Sequence, residues 1–565
     1  MKFYSIKSII LVSALILFGG CIGDLDVMPL DPNVMTAEDA YSTPESYTQG
    51  LKKIYSVWAL SGQKDAGSSD LSDLNAGNTV LLRCWWTLQE STTDEVKCAW
   101  SDSWVPQVNG LSWNTAKVES MEGLYHRSMY IVSIANDFLK QLNNAPDEVD
   151  RERYRAEARF CRALAYYVLM DAFANPPFVT EETTSTLPEQ INRKDLFNWL
   201  EKELTAIRSL LPEQTDEYGR ADQHTVEFLL ARMYLNAEVY TGTPRYTDCI
   251  TYCKYILGSN DYSLADNYTE LFMADNGENS NARKEIIFPV LADGNTTQSY
   301  GIGAIIVGSR SSSEGTVVNY GCNGGWDGFR STGNLIRAFE YEAEESAWTA
   351  DNLNSHDNRA IFYSTGRSLD IKTSSIGTFT TEGWSVFKFT NLNSDGTPGK
   401  NSVFPDTDFP LFRLADVYLM YAESVARGGE GGSESQAVTY IQDLRKRAKT
   451  GYSQVDAAWL KASASINGST ANVNFGNILN ERCRELYWEA TRRTDLIRYG
   501  LFTSNTYTWA EKGGVITGVG VDKRYNLFPI PVSDISVNGN LQQNEGRSEE
   551  RRVGKECRSR WSPYH

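Results

Sequence analysis

Five tryptophans, Trp85, Trp86, Trp100, Trp104 and Trp113, crowd one stretch of a chain that carries 14 Trp and 30 Tyr. Flat rings at this density serve either helix-pair cores or the apolar faces of a ligand such as a sugar. Carboxylates are the next candidates. Thr93-Asp94-Glu95 sets two acids side by side. A glycosidase needs two carboxyls facing each other across the sugar, about 5–9.5 Å apart, which sequence neighbours rarely achieve. Asp406 and Asp408 flank Thr407, with Asp275 in a segment that could approach. Alternating carboxylates can supply oxygens to Ca²⁺, which takes about six to eight of them; an N-cap is the other reading of Asp408. Asn391-Leu392-Asn393-Ser394-Asp395-Gly396 starts like a calcium-binding loop, but Ser402 stands where the closing Glu belongs, so it reads as a turn. Cys249 and Cys253 lie one helical turn apart, yet no Cys or His pair completes a zinc site. Four His in the whole chain argue against a histidine-based metal centre. The sequence has no G-x-S-x-G, no H-E-x-x-H and no phosphate-cradling loop. It does not read as an enzyme.

The N-terminus sets the compartment. Lys2 and Lys7 precede an apolar run, Ile9–Phe18, and Gly19-Gly20-Cys21 follows it. The run falls short of the roughly 20 apolar residues needed to span a bilayer. A basic start, a short apolar stretch and small residues before a cut make a secretory signal, here 1–20, and a cut just before Cys resembles a bacterial lipoprotein signal. Cys21 is then the lipid-attachment residue. The body would sit on a membrane outside the cytoplasm, held by its anchor.

The 565 residues are 41% hydrophobic and 22% charged, ordinary composition for a soluble globular body. Single cores stop growing beyond roughly 250–300 residues, so a helical array or two intergrown lobes is expected. The net charge of −18 repels phosphate backbones, so nucleic acid is not an expected partner. Nine cysteines without regular spacing do not form a disulfide framework.

Apolar periodicity predicts helices over Arg151–Phe173, stopped by Asn175-Pro176-Pro177, and over Asp195–Leu211, Thr225–Tyr240 and Thr247–Leu257. Helices return at Phe412–Arg427, Gln436–Ala448 and Ile478–Tyr499, the last pairing Glu489 with Arg493 on an exposed face. Between them, residues 276–400 are rich in Gly, Ser, Thr and Asn, with short apolar runs at Glu285–Leu291 and Val386–Phe389. That texture reads as a loop-rich lobe with a few strands. The expected fold is mostly α-helical. Tetratricopeptide-like helix pairs over about 30–275 and 410–546 form a scaffold, and an inserted lobe spans about 276–409. Residues 547–565 are strongly basic on an acidic protein, lack periodicity, and read as a non-native tail.

Four segments, AEARFCRALAYYVLMDAFANPPFV (156–179), PLFRLADVYLMYAESVARGG (410–429), ERCRELYWEATRRTDLIRYG (481–500) and FPIPVSDISVNGNLQQNEG (528–546), resemble the SusD/RagB family of outer-membrane nutrient-binding lipoproteins. NAEVYTG (236–242), YTELFMADN (268–276), PDTDFPLFRL (405–414) and PIPVSDI (529–535) look closest to the starch-binding member. The resemblance covers Cys21 to Gly546. It implies a non-catalytic protein on the cell surface that holds oligosaccharide and delivers it to a SusC-type TonB-dependent barrel. It further implies an arc of aromatic rings in which Tyr300, in QSYG, and Trp326, in GGWDG, are platforms and Arg83, in LLRCWW, bonds sugar hydroxyls. Two positions depart: Cys98 stands where the family's third arc tryptophan is expected, and Ser103 where a contacting asparagine is. Trp100 matches a neighbouring tryptophan. The resemblance permits a structural calcium at Asp406, Asp408 and Asp275, although Gly277 replaces an acidic residue in that loop. No other cofactor is implied. A peptide-capturing, RagB-like role is the alternative, and a surface glycosidase a distant one.

Overall fold

The computed structural model describes residues 40–114, 117–373, 381–450, 452 and 454–547. Cys21, the run before it and residues 548–565 lie outside the described residues. Arg547, the first residue of the expected tail, is buried, and its guanidinium donates to the carbonyls of Trp113, Arg524 and Leu527. The folded body therefore reaches at least this residue.

The described residues are mostly helical, and the helix ends have local causes. α1 (Pro44–Ser56) opens on a capping box in which Thr43 and Ser46 exchange backbone and side-chain hydrogen bonds. α2 (Leu81–Glu90) and α3 (Glu119–Gln141) follow. α4 (Arg151–Phe173) spans the expected residues; Asp150 caps it through the Arg153 amide, and Ala174 leaves at φ 62° before the prolines. On it, Arg159 and Arg162 pair with Glu203 on α5 (Arg193–Arg208) at 2.7 and 2.8 Å. The helix expected over 225–240 is α6 (Gln223–Leu235) and then a five-residue turn, because the chain leaves helical geometry at Asn236. α7 (Tyr246–Ser259) ends at Asn260 in the left-handed region. After the lobe and its helix α8 (Tyr300–Ile306) come α9 (Leu414–Ala426), α10 (Glu434–Arg447), α11 (Gly476–Leu486) and α12 (Arg492–Arg498). α3 packs on α4, α4 on α5, α6 on α7, α7 on α9 and α9 on α10, the pairwise stacking of a tetratricopeptide-like scaffold.

Two expectations fail at the junctions. Residues 409–413 are a strand, so α9 starts two residues later than expected. The helix expected over 478–499 breaks between α11 and α12, where Trp488 and Ala490 have φ of 66° and 60°. Glu489 and Arg493 are consequently no exposed pair. Both are buried: Glu489 holds Arg413 and Lys388 at 2.6 Å, and Arg493 holds Asp171 at 3.2 Å.

Two of the four short antiparallel pairs among the described residues tie the lobe to the scaffold. β1 (Val96–Cys98) pairs with β3 (Phe329–Ser331), and β2 (Ile286–Val290) with β6 (Phe409–Arg413). β4 (Phe362–Tyr363) pairs with β5 (Ser385–Val386), and β7 (Ser463–Ser465) with β8 (Asn472–Asn474). The β1–β3 pair joins the tryptophan-rich stretch to the lobe, and α8 packs on α2 from the other side.

Candidate functional site

α2 holds Arg83 in a helix whose ten residues are all buried. Its polar stripe, Arg83, Thr87 and Glu90 at helical spacing, is buried along with its apolar one. α8 begins at Ser299, whose hydroxyl accepts from the Gly301 amide at 2.9 Å and donates to the Ala59 carbonyl. The contact between α2 and α8 is close: a Cβ on Gly301 would meet Val80 at 2.9 Å. This sets Tyr300, the first residue of α8, beside Arg83.

Trp326 is carried by the glycine-rich stretch 321–328, which runs back along the end of α8. The Trp326 amide donates to Val307 (3.0 Å), that of Asp327 to Arg310 (2.8 Å) and that of Gly328 to Gly308 (3.0 Å). Trp100 follows β1. Its Nε1–H donates to the Trp326 carbonyl at 2.6 Å, and its ring packs edge-on to Phe329 at 4.9 Å. The ring lies close against Gly328, where a Cβ would meet it at 2.5 Å. Arg83, Trp100, Tyr300 and Trp326 thus come together from four segments and line one cleft of about 370 Å³ with Gly77, Asn78 and Asp102.

The ring centres of Tyr300 and Trp326 are 6.1 Å apart and their planes are inclined at 50°, so they present two faces of a curved surface. Phe404 backs Tyr300 edge-on at 5.3 Å. The three cleft-lining rings are half-buried, fixed behind and open in front. Arg83 lies over Trp100, with Cζ 5.3 Å from the ring centre, and donates to the Gly77 carbonyl at 3.1 Å. Burial draws its pKa down, and the surrounding Cys84, Cys98, Glu119 and Asp102 oppose that shift. Rings with pinned planes can stack on flat C–H faces, and a guanidinium beside them can donate to hydroxyls.

The structure sorts the other candidates. Cys98 is buried under the β1–β3 pair; burial pushes its thiol up to about 12, and its backbone is clasped by Asn109. It does not line the cleft, whose third ring is Trp100. Trp85, Trp86, Trp104 and Trp113 are core residues. Ser103 is exposed beside Asp102 but does not line the cleft. Gly77, Asn78 and Asp102 are not among the residues expected from sequence; Gly77 and Asn78 close a Gly/Ser/Asp-rich stretch, 65–78, and Asp102 carries no local signal.

The expected carboxylate roles are not assembled. Asp94 and Glu95 are buried away from the cleft: Asp94 is gripped by Arg492 at 2.7 and 2.8 Å and by Tyr507 at 2.5 Å. Burial raises Glu95 to about 7. Asp275, Asp406 and Asp408, the expected calcium group, each engage protein donors. The Asp275 carboxylate accepts from the amide and hydroxyl of Ser394. Asp406 accepts from the amides of Gly294 and Lys400, and Asp408 from that of Ala292. The three do not converge as a ligand group among the described residues. Asp408 caps no helix either; it precedes β6, and burial raises it to about 7. The 391–402 stretch is the expected turn, with Asp395 accepting from Thr397 and Gly396 at φ 86°.

Comparison with known proteins gives the same outline. Residues 226–546 match the model of the SusD family, and residues 84–235 match a model described as starch-binding associating with outer membrane. The chain is 35% identical over 562 residues to the starch-binding protein SusD of Bacteroides thetaiotaomicron, covering 93% of this chain and 95% of that one. In fold it is similar to surface glycan-binding protein A of the same organism, solved with laminarihexaose (TM-score 0.63, 19% identity, 89% of this chain and 99% of that one). It is also similar to a SusD-like carbohydrate-binding protein of Bacteroides fragilis (TM-score 0.67, 19% identity, 89% and 99%).

Proposed function

The chain belongs to the SusD/RagB family, and from that premise we propose that its cleft binds oligosaccharide at the cell surface, without cleaving it, for import through a SusC-type TonB-dependent barrel. The observation that carries this reading is the meeting of Trp100, Tyr300 and Trp326 with Arg83 in one cleft. Three fixed rings offer successive sugar residues apolar faces, and their inclination suits a glycan that curves, such as an α-linked glucan. The starch-binding relative supports that substrate class. Among the described residues Asp102 is the one carboxylate lining the cleft, whereas hydrolysis needs a facing pair, which supports the non-catalytic reading. Cys21 would carry the lipid that holds the protein on the outer membrane.

Affinity electrophoresis in native gels cast with starch, pullulan and β-linked polysaccharides tests the binding. Retardation by the α-glucans, with no new reducing ends in the same mixtures, is expected. Unretarded migration in every gel would overturn the reading, and release of reducing ends would overturn its non-catalytic part. Delivery predicts that the protein co-purifies with a barrel from the native outer membrane in mild detergent.

A further inference from the structure

A second cluster lies on the scaffold, where the turn before α6 meets the end of α7. His224, in the first turn of α6, is 2% exposed. Both of its ring nitrogens face carboxylates: Nδ1 is 2.8 Å from Glu227 Oε2, and Nε2 is 2.9 Å from Asp261 Oδ2. Glu213 reaches the same place from the preceding turn, and one ligating atom each of Glu213, His224 and Asp261 lies within 4.8 Å of the others. Glu213 is exposed and Asp261 half-buried, so the cluster opens to solvent on their side with the imidazole as its floor. Arg208 donates to Oε1 of Glu227 at 2.7 Å, leaving Oε2 for the imidazole. Tyr262 closes the side with its ring edge-on, 5.5 Å from the imidazole.

A metal-binding imidazole is characteristically oriented by a carboxylate on its other nitrogen. Glu227 occupies that place and points Nε2 at two surface carboxylates. One imidazole nitrogen and two carboxylate oxygens, with room for water, suit a borderline divalent ion more than a hard one. We propose that Glu213, His224 and Asp261 form a binding site for a divalent transition-metal ion of the Zn²⁺ type, with Glu227 as its positioning residue. When the ion is absent, Nε2 carries a proton between the carboxylates; that proton leaves to solvent as the ion binds. Few histidines argued against a histidine-rich centre, and a site using one of them is invisible until the fold joins residues 213, 224 and 261.

Chelator-stripped, purified protein titrated with Zn²⁺ in a calorimeter, and with Co²⁺ under visible absorption, tests this. The expected result is one equivalent bound and a Co²⁺ spectrum of nitrogen and oxygen ligation. Glu213→Gln and His224→Gln should each weaken binding at least tenfold, and Glu227→Gln about 10–100-fold, all with glycan affinity unchanged. Glu213 is exposed, so its variant decides the matter if the buried His224→Gln fails to fold. Absence of stoichiometric binding, unchanged binding in Glu213→Gln, or a thiolate charge-transfer band placing Co²⁺ on cysteine would each overturn the assignment.

Discussion

Trp326 and Trp100 hold each other in place, one supplying the backbone carbonyl and the other the indole N–H. Their loss should therefore be unequal. Trp326→Ala removes a platform and should lower oligosaccharide affinity about tenfold or more, since one stacked ring is worth about 1 kcal/mol beyond the area it covers. Trp100→Phe keeps a ring but deletes the bond to Trp326, and calorimetry should show a smaller loss. Gly328→Ala places no group in the cleft, yet its Cβ would displace the Trp100 ring. Overpacking of this kind costs about 1–3 kcal/mol; denaturant unfolding should register that cost, and glycan affinity should fall with it. The platforms Tyr300 and Trp326 and the arginine Arg83 were legible only through segment resemblance. Among the five crowded tryptophans, local spacing does not single out Trp100. What singles it out is contact with a loop 226 residues away.

At the scale of elements, periodicity located the scaffold helices well, because α4 and its neighbours each bury a stripe against the next. It failed where tertiary contacts override the pattern. The break between α11 and α12 keeps an apolar, helix-like sequence, but the amides it frees are taken by acids of α2 and its following turn: Trp488 donates to Glu95 at 3.2 Å and Ala490 to Glu90 at 2.6 Å. α9 and α12 are joined by charge. Burial by itself would raise Glu423, but Arg498 and Arg427 outweigh it and hold the carboxyl at about 2. A carboxyl depressed in this way stabilises the fold above its unfolded value and loses that contribution as pH falls through the folded one. At about 1.4 kcal/mol per pKa unit the contribution is about 3 kcal/mol. Glu423→Gln should therefore destabilise at neutral pH, and the gap from the parent should close between pH 4.5 and about 2 in pH-resolved unfolding.

For the molecule as a whole, the lobe and the scaffold meet on Arg413 of β6. It reaches Glu285 at 2.9 Å beside β2, Glu485 at 2.7 Å on α11 and Glu489 at 2.6 Å in the break. Removing one member of a buried ion cluster leaves the others uncompensated, at a cost of about 3–5 kcal/mol. Arg413→Met should show that loss in denaturant unfolding. The cleft depends on this junction because its four key side chains come from both sides of it. Sequence patterns showed the helical scaffold, the loop-rich lobe and, in the apolar run Glu285–Leu291, the seam strand β2, but not which strand pairs with it, since pairing between strands of two to five residues leaves no periodic signal. The central claim is that the cleft is a glycan site of the curved, α-linked kind. Calorimetric titration of the protein and of Trp326→Ala with maltoheptaose and α-cyclodextrin, beside a panel of β-linked oligosaccharides, tests it most directly. Binding of both α-glucans by the parent and its loss in Trp326→Ala is the predicted result; no α-glucan binding, or binding that Trp326→Ala leaves intact, would contradict it.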